Sequence, residues 1–144
     1  MQLYIQLRKA QKQRLDQPYW DVRIGIHSGP VMAGVIGRKK FSYDVWGDTV
    51  NTVARMESSG VAGRINISRE TADLIQDFFK MEYRGKINAK NKGSLDMFLV
   101  TRICEGLSLD PEGILPNQDS IDLYLATHPG AFIGDSQRWL SLSS

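Results

Sequence analysis

One run of this 144-residue chain combines residue types at spacings that could support chemistry: Phe41-Ser42-Tyr43-Asp44-Val45-Trp46-Gly47-Asp48-Thr49-Val50-Asn51-Thr52-Val53-Ala54-Arg55-Met56-Glu57-Ser58. A short strand would deliver the carboxylate of Asp44 to its end, and Gly47 permits a tight turn there. If a helix follows, Asn51 and Arg55 lie one turn apart on a polar face. An acceptor, an amide and a guanidinium then meet at a strand-to-helix junction, a set able to read a polar ring edge and to stabilise a phosphoryl group. The same pattern also fits a solvated helix face, with Arg55 paired to Asp48 or Glu57. Spacing alone leaves both readings open.

Other chemistries find little support. No Gly-x-x-x-x-Gly-Lys-Ser/Thr occurs, and Gly34-Val35-Ile36-Gly37-Arg38-Lys39 is only a loose echo of a phosphate-cradling loop. The single cysteine, Cys104, has no internal partner and belongs to no zinc-type cluster, which suits a reducing compartment. His27 falls on an expected strand and His128 beside Pro129, positions that suggest structural roles. A net charge of +2 with 24% charged residues is compatible with an anionic ligand and too weak to argue for nucleic acid or a membrane surface. No apolar stretch of about 18 residues is present to span a bilayer.

The elements that must position the run are readable from periodicity. Met1 to Asp16 has a helical pattern, with Leu3, Leu7 and Ala10 on one stripe, and Gln17-Pro18 stops it. Asp21 to Ser28 alternates as a strand, Val22, Ile24 and Ile26 facing opposite to Arg23 and His27. Val31 to Ile36 is ambiguous between strand and helical turn, and Phe41 to Trp46 reads as a strand. Asp48 to Ser58 reads as a helix whose expected buried stripe is Val50, Val53 and Ala54, ended by Ser59-Gly60. Arg64 to Ile67 is a short strand. Ser68 is an expected N-cap for a helix presenting Ala72, Ile75, Phe78 and Phe79. Lys80 to Asn88 and Ser94 to Ile103 form a strand pair around residues 89–93. Beyond Ile103 the chain turns loop-like, with a short helix expected over Ser120 to Thr127; Trp139 and Leu140 are candidates to pack back. Interleaved strands and helices imply an α/β or α+β sheet covered by helices on one side.

The hallmark run, preceded by Arg23-Ile24-Gly25-Ile26-His27-Ser28-Gly29-Pro30-Val31-Met32-Ala33-Gly34-Val35-Ile36-Gly37 and followed by Arg84-Gly85-Lys86-Ile87-Asn88-Ala89-Lys90-Asn91-Lys92-Gly93, resembles the catalytic domain of class III adenylyl and guanylyl cyclases. The resemblance covers about residues 1–103 and leaves 104–144 as an extension. It implies a ferredoxin-like cyclase fold without its N-terminal strands. It implies that Asp44, with Val45 beside it, reads the purine, and an acid at that position points to adenine. It also implies that Asn51 orients the ribose, that Arg55 stabilises the pentavalent phosphorane as the 3′-hydroxyl attacks the α-phosphate, and that Lys90 holds the terminal phosphates.

The departures are equally informative. The family's metal-binding aspartates belong to an early Phe-x-Asp-Ile-type strand and a following hairpin, and neither motif occurs here; its adenine-reading lysine is also absent. Asp16, Asp48 and Glu57 stand in no matching context. In this family two protomers build each site, one supplying the metal aspartates and the other the Asn, Arg, Lys and purine-reading set. The resemblance therefore implies an adenylyl cyclase that uses ATP, with GTP as the alternative; the expected location is the cytoplasm, a membrane anchor elsewhere in a parent protein being the alternative. It would need Mg²⁺ or Mn²⁺ bound by residues outside this chain and a second protomer, and the isolated chain is expected to be inactive. An exposed sheet edge and self-association are further expectations. A different class of function, a non-catalytic cyclase-homology module that dimerises or senses nucleotide, fits the missing metal residues.

Overall fold

The computed structural model describes residues 2–16, 18–19, 21–37, 42–89 and 93–130. Its elements run α1 (Gln2–Arg14), β1 (Ile24–Ile26), β2 (Met32–Ile36), β3 (Ser42–Trp46), α2 (Asp48–Ser58), β4 (Ile65–Ser68), α3 (Arg69–Ile75), β5 (Phe79–Ala89), β6 (Gly93–Ile103) and α4 (Gln118–Thr127). They make a mixed α+β architecture. A four-stranded sheet has the order β1-β4-β6-β5, and β2 and β3 form a separate two-stranded hairpin. The chain divides into two compact units, Met1–Ile75 with Met81–Val100, and Gln76–Lys80 with the chain from Thr101 onward.

In the first unit β1 runs parallel to β4, Ile24 opposite Ile65 and Gly25 opposite Asn66. A parallel pair needs a crossover, and the hairpin followed by α2 provides it. β4 runs antiparallel to β6, with Asn66 opposite Leu99 and Ser68 opposite Met97. Because side chains alternate along strands, Gly25, Asn66, Ser68, Met97 and Leu99 share one sheet face. α2 packs on that face, against β1 and β4. Met56, Ile67, Ala72, Met97 and Leu99 are buried in this unit.

α2 takes the expected bounds but not the expected stripe. Its buried residues are Thr49, Thr52 and Met56, while Val50 and Val53 are half-buried and Ala54 is exposed. The threonines can face inward because their hydroxyls are satisfied. Thr52 donates to the carbonyl of Asp48 at 2.9 Å and Thr49 to the carbonyl of Pro30, so burial leaves no polar group unpaired.

Of the ambiguous segment Val31 to Ile36, Met32–Ile36 is a strand, with Met32 opposite Trp46 and Gly34 opposite Asp44 in the hairpin. α3 ends at Ile75, so Phe78 lies in a turn and Phe79 opens β5, correcting the expected helical face. Ser68 caps α3, its Oγ accepting from the Thr71 amide at 3.4 Å.

In the second unit α4 is capped by Asn117, whose side chain accepts from the Ser120 amide at 3.0 Å. The loop before it folds around Asp110. The carboxylate accepts from the amides of Ile114 at 3.0 Å and Leu115 at 2.6 Å, and from the Ser108 hydroxyl at 3.1 Å. Ile103 and Ile121 are buried in this unit. Trp139 and Leu140 lie outside the described residues.

Candidate active site

β3 carries Asp44 and Val45 to the end of the hairpin, and Gly47 turns the chain into α2. Gly47 has φ 127°, a conformation that L side chains rarely adopt, so the turn depends on glycine. Val45 is 38% exposed. The side chain of Asp44, and the whole of Lys90, lie outside the described part of the structure.

On α2, Asn51 is exposed and Arg55 half-buried. Four residues apart, they stand on one helix face, roughly 5–6 Å between Cβ atoms. That face is about a third of a turn from the buried Thr49-Thr52-Met56 stripe, at about 100° per residue.

The guanidinium of Arg55 does not pair with Glu57. Glu57 bonds instead to Arg23, at 3.3 Å. Among the described residues Arg55 makes no ion pair or side-chain hydrogen bond. A guanidinium with no such partner among the described residues has donors of the kind that bind anions.

What holds α2 is visible at its C-terminal end, where the last carbonyls have no partner within the helix. The Arg55 carbonyl accepts from the Ser59 amide at 2.9 Å, and that of Glu57 from Gly60 at 2.8 Å. The Met56 carbonyl accepts from the side chain of Asn66 at 2.8 Å. Arg23 reaches the Ser58 carbonyl at 3.4 Å, and Arg84 reaches that of Ser59. Gly25 allows the close approach. A Cβ there would lie 2.1 Å from the Glu57 nitrogen and 2.5 Å from the Met56 carbonyl carbon.

A cleft of about 430 Å³ opens on the threonine side of α2, lined among others by His27, Ser28, Asp48, Thr52 and Glu70. Neither Asn51 nor Arg55 lines it. The His27 side chain is 7% exposed and its Nδ1 lies 3.5 Å from Glu70. The same nitrogen is 2.7 Å from the Ser68 hydroxyl, and Ser28 and Thr71 hydroxyls are 3.1 Å apart. This network ties β1 to the start of α3. Sequence reasoning placed His27 on a strand but did not see its partners, which are some forty residues away; nor did it single out Asn66, a polar residue between Ile65 and Ile67 on β4.

Among the described residues, no three His, Cys, Asp or Glu side chains gather into a metal-holding group. Glu57 is engaged by Arg23 and Asp48 stands at the first turn of α2. The donors among the described residues do not fit a divalent ion. No helix among the described residues is long and apolar enough to cross a membrane.

The strand-turn-helix unit carrying Asn51 and Arg55 lies within the stretch that resembles nucleotidyl cyclases, in a mixed α+β fold. The family model for the adenylate and guanylate cyclase catalytic domain matches residues 1–102, and the chain belongs to that family. It is 46% identical over 81 residues to a membrane guanylyl cyclase of Dictyostelium discoideum, a match spanning 56% of this chain and 6% of that protein. It is 47% identical over 72 residues to an adenylate cyclase of Mycobacterium tuberculosis, spanning 50% of this chain and 16% of that protein. The crystal structure of the adenylyl cyclase CyaB from P. aeruginosa superimposes with a TM-score of 0.64 at 26% identity, covering 74% of this chain and 56% of that one. The chain thus spans a small part of these curated relatives and about half of the solved domain. Relatives of both substrate types occur, so the family is established and the purine is not.

Proposed function

We propose that this chain provides one half of a purine nucleotidyl cyclase active site, the half that reads the base and stabilises the transition state. The observation that carries the reading is the placement of Asn51 and Arg55 one turn apart on α2, next to the Asp44–Val45 end of β3, with the Arg55 guanidinium unpaired among the described residues.

The reaction joins the 3′-oxygen of the nucleotide to its own α-phosphorus. The bond from that phosphorus to the bridging oxygen breaks, pyrophosphate leaves with the bond's electrons, and the 3′-hydroxyl proton passes to solvent or a base. Negative charge grows on the α-phosphate oxygens, and a preorganised guanidinium lowers that barrier. Asn51 holds the ribose so that the 3′-oxygen stands in line with the leaving group. Asp44 and Val45 receive the purine. The acid accepts from an exocyclic amine, which favours ATP over GTP and cyclic AMP as product. Lys90 neutralises the terminal phosphates. Mg²⁺ or Mn²⁺, supplying activation of the hydroxyl, would be held by the carboxylates of a second cyclase protomer. The site would work in the cytoplasm, where the nucleotide is found.

A second reading, a non-catalytic cyclase-homology module, is favoured by one observation: the lack of a metal-donor group among the described residues. One experiment separates the two. Cyclic nucleotide formation is measured with ATP and with GTP plus Mn²⁺, for the chain alone and for the chain mixed with a cyclase domain that has the metal carboxylates but lacks its own arginine. Product in the mixture only, and more from ATP, supports the half-site. Silence in both supports the module.

A further inference from the structure

We infer that Asn66 is a positioning residue for this reaction: its side-chain amide fixes the last turn of α2 and, through it, the location of the Arg55 guanidinium. The inference rests on the proposed role of Arg55.

Asn66 lies on β4, between β1 and β6, and is 0% exposed. Its Nδ2 donates to the carbonyl of Met56 at 2.8 Å. Met56 follows Arg55 directly and is also fully buried, so no solvent can take over that carbonyl. The other carbonyls at this helix end are met by nearby amides or by exposed arginines. Met56 alone takes its partner from the core.

The amide orientation follows from the acceptor: reversed, two oxygens would face each other. The cost of the arrangement is visible. The Asn66 Oδ1 is buried with no hydrogen-bond partner among the described residues, and buried polar atoms are seldom left so. The Nδ2 also reaches the Met97 Sδ at 3.5 Å, but a thioether is a weak acceptor, so folding alone gives little reason for an asparagine there. Replacing it with leucine removes one unpaired acceptor, Oδ1, and creates another, the Met56 carbonyl, so the two effects nearly offset. The side chain's distinctive effect is geometric. Together with Gly25, which lets the helix backbone touch the sheet, it sets where the residue before Met56 stands.

The test uses the full chain carrying Asn66→Leu, with Asn66→Val as a second variant, mixed with the metal-competent, arginine-deficient partner. Expected are an unfolding temperature close to wild type, kcat lower by about ten- to a hundredfold as misplacement of a reacting group predicts, and KM within about twofold. In an Arg55→Ala background the same substitution should cost nothing further, because the group it positions is gone. An equal fall in both backgrounds, unchanged kcat, or a large loss of folding in both variants overturns the inference. Amide exchange provides a readout that needs no activity. Exchange from Arg55 to Gly60 should speed up in Asn66→Leu while Thr49 to Thr52 stay protected. Unchanged exchange overturns the inference. If the wild-type mixture makes no cyclic nucleotide, the proposed function fails by itself, and exchange still decides whether Asn66 holds this turn.

Discussion

Arg55 is the residue on which the functional reading turns. Its neighbour Glu57 is taken by Arg23 at 3.3 Å, so the nearest bland explanation for a helical arginine does not hold for that pair. If Arg55 acts only as charge builds on the α-phosphate, Arg55→Ala should lower kcat by about 10²–10³ with little change in KM, the usual cost of removing such a donor. Arg55→Lys should recover little, since an ammonium lacks the planar fork. Steady-state kinetics of the mixed assembly reads both. A second residue-level prediction concerns Asp110 and is independent of catalysis. Desolvation pushes its carboxyl up, but the amides of Leu115 and Ile114 and the Ser108 hydroxyl outweigh that and hold it below the ordinary 3.8. A carboxylate depressed in the fold contributes stability that is complete above the unfolded value and is lost as pH falls through the folded one. The gap in stability between wild type and Asp110→Asn should therefore be widest near neutrality and narrow below pH 3.8. Denaturant unfolding of the two proteins across that range reads it; a gap that widens in acid contradicts the assignment.

The elements show which parts of the fold were legible in the sequence. α2 was legible to its ends, Asp48 and Ser58, because Gly47 and Ser59-Gly60 punctuate a clear run. Its buried face was not. Hydropathy favours Val50 and Val53 over Thr49 and Thr52, yet the threonine hydroxyls find backbone acceptors, and only the fold shows this. The segment Val31 to Ile36 was ambiguous because the strand state of Met32–Ile36 comes from pairing with β3, a nonlocal fact. The end of α3 was misplaced because Phe78 and Phe79 continue a helical spacing that β5 interrupts. The Asn51–Arg55 pairing could be read from spacing, whereas Asn66 and the His27 network could not, their partners being distant in sequence. One glycine tests the packing of α2 on the sheet. Gly25→Ala would put a methyl 2.1 Å from the Glu57 nitrogen, against backbone that cannot rotate away. Overpacking of this kind costs about 1–3 kcal/mol, which for a small domain lowers Tm by several degrees. Calorimetry of Gly25→Ala should show that loss, and an unchanged Tm would mean α2 stands farther from β1.

At the scale of the whole molecule, the reading turns on assembly. On the proposed function, this chain supplies the arginine side of a site and a second cyclase protomer supplies the metal carboxylates, so activity follows from their meeting. Assembly and catalysis should then be separable. Asn51 is exposed and Arg55 half-buried, and neither is among the buried core residues Met56, Ile67, Ala72, Met97 and Leu99. Arg55→Ala should accordingly fold as wild type does, since substitutions away from core, caps and hydrogen-bond networks usually change stability by less than about 0.5 kcal/mol. It should also still occupy the partner. Added to an active mixture of wild-type chain and limiting partner, it should act as a competitor. Cyclic nucleotide production would fall by about half when variant and wild type are equimolar and in excess, and excess wild-type chain would restore the rate, as mass action requires. If the variant leaves the rate untouched while remaining folded by circular dichroism, then Arg55 itself is needed for the chains to meet. In that case its role is in the interface rather than at the phosphorus, and the assignment of the transition-state group to this helix would have to be given up.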